Sequence, residues 1–542
     1  MKIICSVLIA FLLTGWQQAN AQKLSIEKTY EITGKANRGY LGNINIDEPK
    51  NLLELTFVTK ANDKQAKFET YQFDLEFNFK NLVTDQIDFD KAHEKYRWFR
   101  YKGESYVVEA VSVENNLTGT LVLKRKQINY DWSWFWGGYD KDVKLLEKLK
   151  PKSDEGNKYS LITKAENDAD GSVLLVAGTK TQKGDDPNLV QKKFVAAVFN
   201  KDLDQVHKTD FDFQYPQTLV QSQLVWNPNL DFDADADDLA NSDLALLFAP
   251  MGGPGMGKVA DPAINNYTFM RFANDAAQKD RISIKSPNTV WSVNSIAVVD
   301  NNYYIFGPSK GDDKYVNQVM TAAQDPDEMK WESYQLAKLS NGKVDFVNAP
   351  SLDEFEAKLQ TPPSQKKSPS YRGKKFYLSN FDVDSKGNIF LFGQNFSLKG
   401  DGSHQYKDLL CFHFAPDGSL KAQYGYDKQE GNKFSEMAPA YQELLETTDG
   451  NNMDWLIGEV DGMRTEKELG NSKYKTLMYP VVAKLDVTGG KIGDPAVFGV
   501  SKEGKYYLNN RFPFLPIELS TSVVFFGESS GGKKLWFGKM LL

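Results

Sequence analysis

Eight times along the chain a polar turn gives way to a short apolar run, and a second apolar run follows. The sharpest copy spans 381–426. Ile389 to Gly393 reads IFLFG, an aromatic and β-branched run bounded by Gly, which is the pattern of a buried strand. The turn before it, Asp384-Ser385-Lys386-Gly387-Asn388, places Gly and Asn where a tight hairpin needs positive φ. Leu409 to Phe414 (LLCFHF) is the second run, and it ends at Ala415-Pro416-Asp417-Gly418. There Pro presets φ and Gly supplies the left-handed residue. Leu420 to Tyr424 then alternates, as a half-exposed outer strand does. The whole is an antiparallel meander the size of one propeller blade.

The other copies are anchored near Lys50, Glu104, Gly171, Ser242, Asn301, Gly450 and Thr521. Their first runs read LLELTFV, SYVVEAV, SVLLVAG, LALLFAP, YYIFG, DWLIG and VVFFG. The spacing of roughly 67 residues suits a blade with loop insertions. The eighth unit runs to Leu542 without a fourth strand, and Lys23 to Ile32 (KLSIEKTYEI) is a strand without a unit of its own. Pairing the two closes a ring and removes an open edge. The expected fold is all-β: a β-propeller of eight four-stranded blades closed by the N- and C-terminal strands, with a seven-bladed ring as the alternative.

Met1 to Ala21 reads as a secretory signal, with Lys2, an apolar core from Ile3 to Leu13, and Ala19-Asn20-Ala21 as the cleavage site. The repeats with their Asp-x-x-Gly-Asn turns resemble secreted β-propeller proteins, and the Ala-Asn-Ala-Gln junction resembles those exported by Bacteroidetes. The resemblance implies export to the periplasm, the outer membrane or the medium, and names no activity. Residues 22–542 are expected to form one domain, with insertions at about 131–158, 227–241, 311–332 and 349–375.

Of two cysteines, Cys5 falls in the signal, so Cys411 has no partner and reads as a buried thiol in an apolar strand. A net charge of −7 with no basic, aromatic-interleaved stripe argues against nucleic acid. Beyond the signal no apolar run approaches the ~18 residues of a membrane span. A closed ring resists edge pairing, so a monomer is expected.

In a four-stranded meander blade, the loops between second and third strands and the blade-to-blade connections leave on one face. The segments 131–158, 227–241, 349–375 and 427–439 read as connections. The segments 179–191, 251–265, 311–332, 394–406 and 461–477 read as internal loops of the same face. That face is therefore expected to carry function, because binding residues concentrate on loops over a rigid scaffold. Lys141 to Leu149 has apolar residues at helical spacing, and Ser351 to Gln360 opens with a Ser351/Glu354 capping box. Thr361 to Ser370, rich in Pro and Lys, reads as a mobile exposed loop.

Two segments stand out as candidate sites. Trp132, Trp134, Phe135, Trp136 and Tyr139 form the densest aromatic cluster, and exposed Trp and Tyr stack on sugars or anchor a protein partner. Packing onto a neighbouring blade is the competing reading. Asn229, Asp231, Asp233, Asp235 and Asp237 alternate along an acidic loop whose oxygens suit a structural calcium ion. The loop lacks the usual Gly and closing Glu, so a solvated acidic loop is the other reading. The glycine-rich Met251 to Val259 lacks the Ser or Thr of a phosphate loop. None of the four histidines forms a spaced metal pair, and His404 alone sits where it could meet a ligand.

No nucleophile or catalytic motif appears. The expectation is a non-enzymatic exported propeller that binds a glycan, a peptide or an envelope protein through its long-loop face. A propeller hydrolase or lyase, with acidic residues at the axial funnel, is the alternative.

Overall fold

The structure is a computed structural model. It describes residues 22–542 apart from 63, 97, 100–105, 134–137, 168–169, 180–191, 227–241, 252–258, 260, 262, 312–328, 429–433, 469–470, 502–503 and 518–520. The signal reading at 1–21 lies outside the described residues. Among those described, no helix is long and apolar enough to cross a membrane.

Strands dominate, and among the described residues they gather into eight sheets in chain order, antiparallel but for one short parallel pair. The third sheet is typical, with Tyr159–Glu166 innermost, then Val173–Thr179, Lys193–Phe199 and Gln205–Asp212. Every apolar run picked out from the sequence is a strand of its sheet, and each pairs with the run that follows it. The eighth sheet is completed by Leu24–Glu31 against Lys534–Leu541, from Leu24 opposite Met540 to Glu31 opposite Lys534. The expected pairing of the N- and C-terminal strands is therefore present. The second sheet shows three strands among the described residues, Tyr106–Asn115, Leu121–Ser133 and Gly138–Leu149.

The core lies between sheets. One cluster joins Leu174, Val176 and Phe194 of the third sheet to Leu246, Phe248 and Met270 of the fourth. Similar clusters join the sheets onward through the eighth, and Phe526 and Phe537 of the eighth pack with Leu55, Tyr71 and Phe73 of the first. From the second sheet to the eighth the sheets pack face to face in chain order, and the eighth packs on the first, a propeller-like succession.

The Gly that ends several runs has a packing reason. A Cβ on Gly307 would lie 1.9 Å from the Ser292 carbonyl oxygen, and one on Gly393 would lie 2.1 Å from that of Tyr377. Here the innermost strand is interrupted or bulged and its backbone presses onto the next strand, as between Leu378 and Asn380.

Several expectations are corrected. Lys141 to Leu149 is not a helix but part of strand Gly138–Leu149, because pairing with a long neighbouring strand overrides a short helical period. Residues 461–477 are not a loop but the extension of the hairpin Asn452–Glu468/Asn471–Asp486. Much of 394–406 is likewise strand, in Ile389–Leu398 and His404–Phe414. The capped helix does form, as Leu352–Ala357, with both bonds of the Ser351/Glu354 box. Thr361 to Ser370, however, is tied down: Ser364 N–H donates to Asp494 at 2.8 Å and Gln365 accepts from Asp427 N–H at 2.7 Å. The half-exposed outer strand expected at Leu420 to Tyr424 is mostly buried, because Leu359–Gln360 of the same connection pairs with it in parallel.

Sheet order also relocates two segments. Residues 227–241 join Gln217–Trp226 to Ser242–Pro250, the first and second strands of the fourth sheet, and are not a connection between sheets. Residues 134–137 join the two outer strands of the second sheet. The strand ends that flank them, Trp226 and Ser242, and Ser133 and Gly138, lie on the face of tight turns, opposite the one expected. The connection at 349–375 does leave from the expected face, as do the described ends of the segments 251–265 and 311–332.

Candidate functional site

Innermost strands of neighbouring sheets are stitched by polar side chains. Thr163 and Ser222 hydroxyls lie 2.9 Å apart between the third and fourth sheets. Gln223 Oε1 accepts from Ser295 Oγ at 2.9 Å and from Ile296 N–H at 3.0 Å between the fourth and fifth. Ser379 Oγ accepts from Gln442 Nε2 at 3.1 Å between the sixth and seventh. Between the fifth and sixth sheets no such bond joins the inner strands among the described residues. Ser295–Val299 and Phe376–Val383 stand apart, and a cleft of about 620 Å³ opens between them.

The floor of the cleft is apolar. Phe306 stacks on Phe381 with centroids 5.0 Å apart and planes 11° apart, and Leu378 and Val299 pack beside them. Polar groups line the walls, among them Ser379, Asn380 and Asn294, and the Asn294 Oδ1 accepts from Tyr334 at 3.0 Å. Among the described residues, no Asp, Glu, Lys or Arg lines it. At the mouth, His404 packs on Phe396 at 4.3 Å and meets Tyr406 edge-on at 5.9 Å, and Tyr406 meets Tyr377 at 5.4 Å. Tyr377 is 38% exposed. These residues sit where inner strands begin and second strands end, so the mouth opens on the face of long connections. A cavity of this size, with an apolar floor and a few polar groups on its walls, suits a small ligand.

Beside the cleft two acids on inner strands are desolvated. Asp382 alternates away from Phe381 and Val383, and burial pushes its carboxyl up to about 6, helped by Asp384 and Glu446. Burial also raises Glu443 of the seventh sheet, and Asp382 adds to the shift. Cys411 is fully buried with its thiol pushed well up, so it is an inert core residue as its strand position suggested. His413 points away from Phe412 and Phe414, stacks on Phe390 at 4.6 Å and bonds Tyr424 and Asn388.

Trp134 and Trp136, and Asn229, Asp231, Asp233, Asp235 and Asp237, lie outside the described residues. Trp132 and Tyr139 are backbone partners at the hairpin end of the second sheet. Among the described residues, no group of three His, Cys, Asp or Glu side chains gathers to hold a metal ion. Of the candidate site residues that the structure describes, His404 is at the cleft. Its walls went unread because Tyr377-Leu378-Ser379-Asn380 looks like the tail of a connection. The signal was the Gly393 opposite, which announces a backbone pressed close.

No protein-family model matches the chain, and no curated relative is found. Among solved structures, the WD40 domain of SCAP from fission yeast is 8% identical, over 95% of this chain and 98% of that one, with a TM-score of 0.26. TolB from Acinetobacter baumannii is 8% identical over 82% of each chain, with a TM-score of 0.22. The exotype rhamnogalacturonan lyase YesX is 9% identical over 96% of this chain and 90% of that one, with a TM-score of 0.24. At such TM-scores the likeness carries no argument, and the fold rests on sheet order and packing.

Proposed function

We propose that the chain is an exported, monomeric, eight-bladed propeller that binds a hydroxyl-rich ligand of the glycan class in the cleft between its fifth and sixth sheets. The observation that carries the reading is the cleft itself: an uncharged lining, a stacked phenylalanine floor and an aromatic mouth. Aromatic faces take the apolar faces of sugar rings, while Asn and Ser side chains satisfy hydroxyls. A peptide or an envelope protein offers fewer hydroxyls for that lining.

The test is a thermal-shift and calorimetric screen of residues 22–542 against neutral oligosaccharides, with calcium and EDTA arms for the 229–237 loop. A ligand at 100 times its Kd adds about 2.7 kcal/mol. Asn380→Ala and Tyr377→Ala should each weaken a hit roughly tenfold, since each removes a polar or stacking contact. Binding that ignores both substitutions overturns the reading.

A second reading, a hydrolase or lyase, is favoured by Asp382 and Glu443, two desolvated acids on neighbouring inner strands. It predicts turnover of the bound compound that Asp382→Asn abolishes. Binding without turnover removes it.

A further inference from the structure

Phe396 walls the cleft on one side and, on the other, a second cavity of about 240 Å³. The lining of this cavity is as charged as the cleft is neutral. Arg372, Lys374 and Lys375 converge on it from the connection between the fifth and sixth sheets, against one acid, Asp408. Among the described residues none of the three cations makes a side-chain hydrogen bond or ion pair. Burial, the charge of the neighbouring Asp427 and a hydrogen bond donated to Asp427 hold the Asp408 carboxyl above the ordinary range. Asp427 is itself paired with Lys367 at 3.1 Å.

The segment that carries the cations is fixed in place. Tyr371 is buried among Tyr334, Phe355 and Phe412, and its N–H donates to Gln423 Oε1 at 2.7 Å. Gly373 has φ +72 and accepts from Trp331 N–H at 2.6 Å, and a Cβ there would lie 2.1 Å from the Trp331 carbonyl oxygen. Lys375 holds φ +53, and its carbonyl accepts from Phe396 N–H at 2.9 Å. Three cations on a fixed turn, unneutralised and next to a neutral ligand cleft, form a charge-selective extension of it. Little of the binding free energy would go into ordering them.

We infer that this cavity is an anion subsite, so that the cleft ligand is an acidic saccharide whose carboxylate or sulfate group sits between Arg372, Lys374 and Lys375. The inference rests on the glycan reading above. Arg supplies a planar fork suited to either oxyanion, and the two lysines supply point charges.

The experiment titrates one oligosaccharide series in three matched forms, neutral, uronate and sulfated, into residues 22–542 at about 0.1 M salt, where charges within roughly 10 Å still act. Three proteins are compared: the unaltered chain, the Arg372→Gln/Lys374→Gln double variant and Asn380→Ala. Both exchanged cations are exposed, so the double variant should melt with the parent. The acidic forms should bind the parent roughly tenfold tighter than the neutral form, as charge-assisted contacts allow. The double variant should erase that difference and leave neutral affinity unchanged, while Asn380→Ala should weaken all three forms. A uronate preference over sulfate, or the reverse, identifies the source of the anion. Acidic forms no tighter than neutral, or a preference that survives in the double variant, overturn the inference and leave the cleft reading standing. Acidic binding that depends on Arg372 but ignores Asn380→Ala sustains the subsite and overturns the cleft reading. No binding in any form overturns both.

Discussion

His413 Nδ1 lies 3.0 Å from the Tyr424 hydroxyl, in an interior where neither side chain meets solvent. Its other ring nitrogen is 3.3 Å from Asn388 Oδ1. Burial, with Lys421 adding to it, pushes this imidazole down to about 3. The folded chain therefore binds fewer protons than the unfolded one between pH 6.5 and 3. The stability contributed by the neutral ring is complete above 6.5 and lost as pH falls through that window, by about 5 kcal/mol at full extent. Urea melts from pH 7 to 4 should show the slope, and His413→Gln, which does not titrate, should flatten it. An unchanged slope in the variant would refute the assignment.

Asp382 works in the opposite direction. Its carboxyl is raised from 3.8 to about 6, so the folded chain holds the proton more tightly. Stability from this group is complete below 4 and declines as pH rises to 6, by about 3 kcal/mol at most. Asp382→Asn should be more stable than the parent at pH 7 and equal to it near pH 4. The crossing of the two melting curves is the measurement, and parallel curves would count against it.

Gly393→Ala should destabilise by about 2 to 4 kcal/mol, because the new methyl meets the Tyr377 carbonyl and the Phe376 ring in a packed interior. Gly400→Ala is the control: a Cβ there meets nothing within 4 Å, so the change should stay within about 0.5 kcal/mol. Denaturant midpoints of the two variants decide it, and equal shifts would mean that the close approach is not what these glycines serve.

Removing residues 22–32 should lower the melting temperature and produce dimers or larger species on a sizing column. It strips Leu24–Glu31 from Lys534–Leu541 and leaves that strand as an unpaired edge. It also strands the Trp536 indole N–H, which donates to Glu27 at 2.8 Å. A truncated chain that stays monomeric with an unchanged melt would show that the terminal pairing is dispensable.

The strands were legible because their signals are local. IFLFG and LLCFHF bury both faces, and turns such as Asp384–Asn388 use an Asp side chain to cap the backbone two and four residues on. The terminal closure was legible from arithmetic: one strand too few at one end and one too many at the other. Assignment of connections to faces was harder, because it depends on which strand is innermost. Gln217–Trp226 mixes Gln and Ser with apolar residues, which reads as an outer strand, yet it is the inner strand of the fourth sheet and its polar residues are the stitches. That single inversion makes 227–241 a link within the fourth sheet instead of a connection between sheets. The cleft is defined by a missing stitch, and an absence between strands about eighty residues apart leaves no local mark.

The terminal pairing also has a dimension in time. Glu27 and Trp536 are 509 residues apart, and at ~5–20 residues per second the strand Leu24–Glu31 is made roughly 25 to 100 s before its partner exists. Over that interval the first sheet, which packs against the eighth, has an uncovered apolar face formed by Leu55, Tyr71 and Phe73. The nascent chain is thus sticky at its leading end until its last strand arrives, and a factor that shields that end would matter most before synthesis is complete.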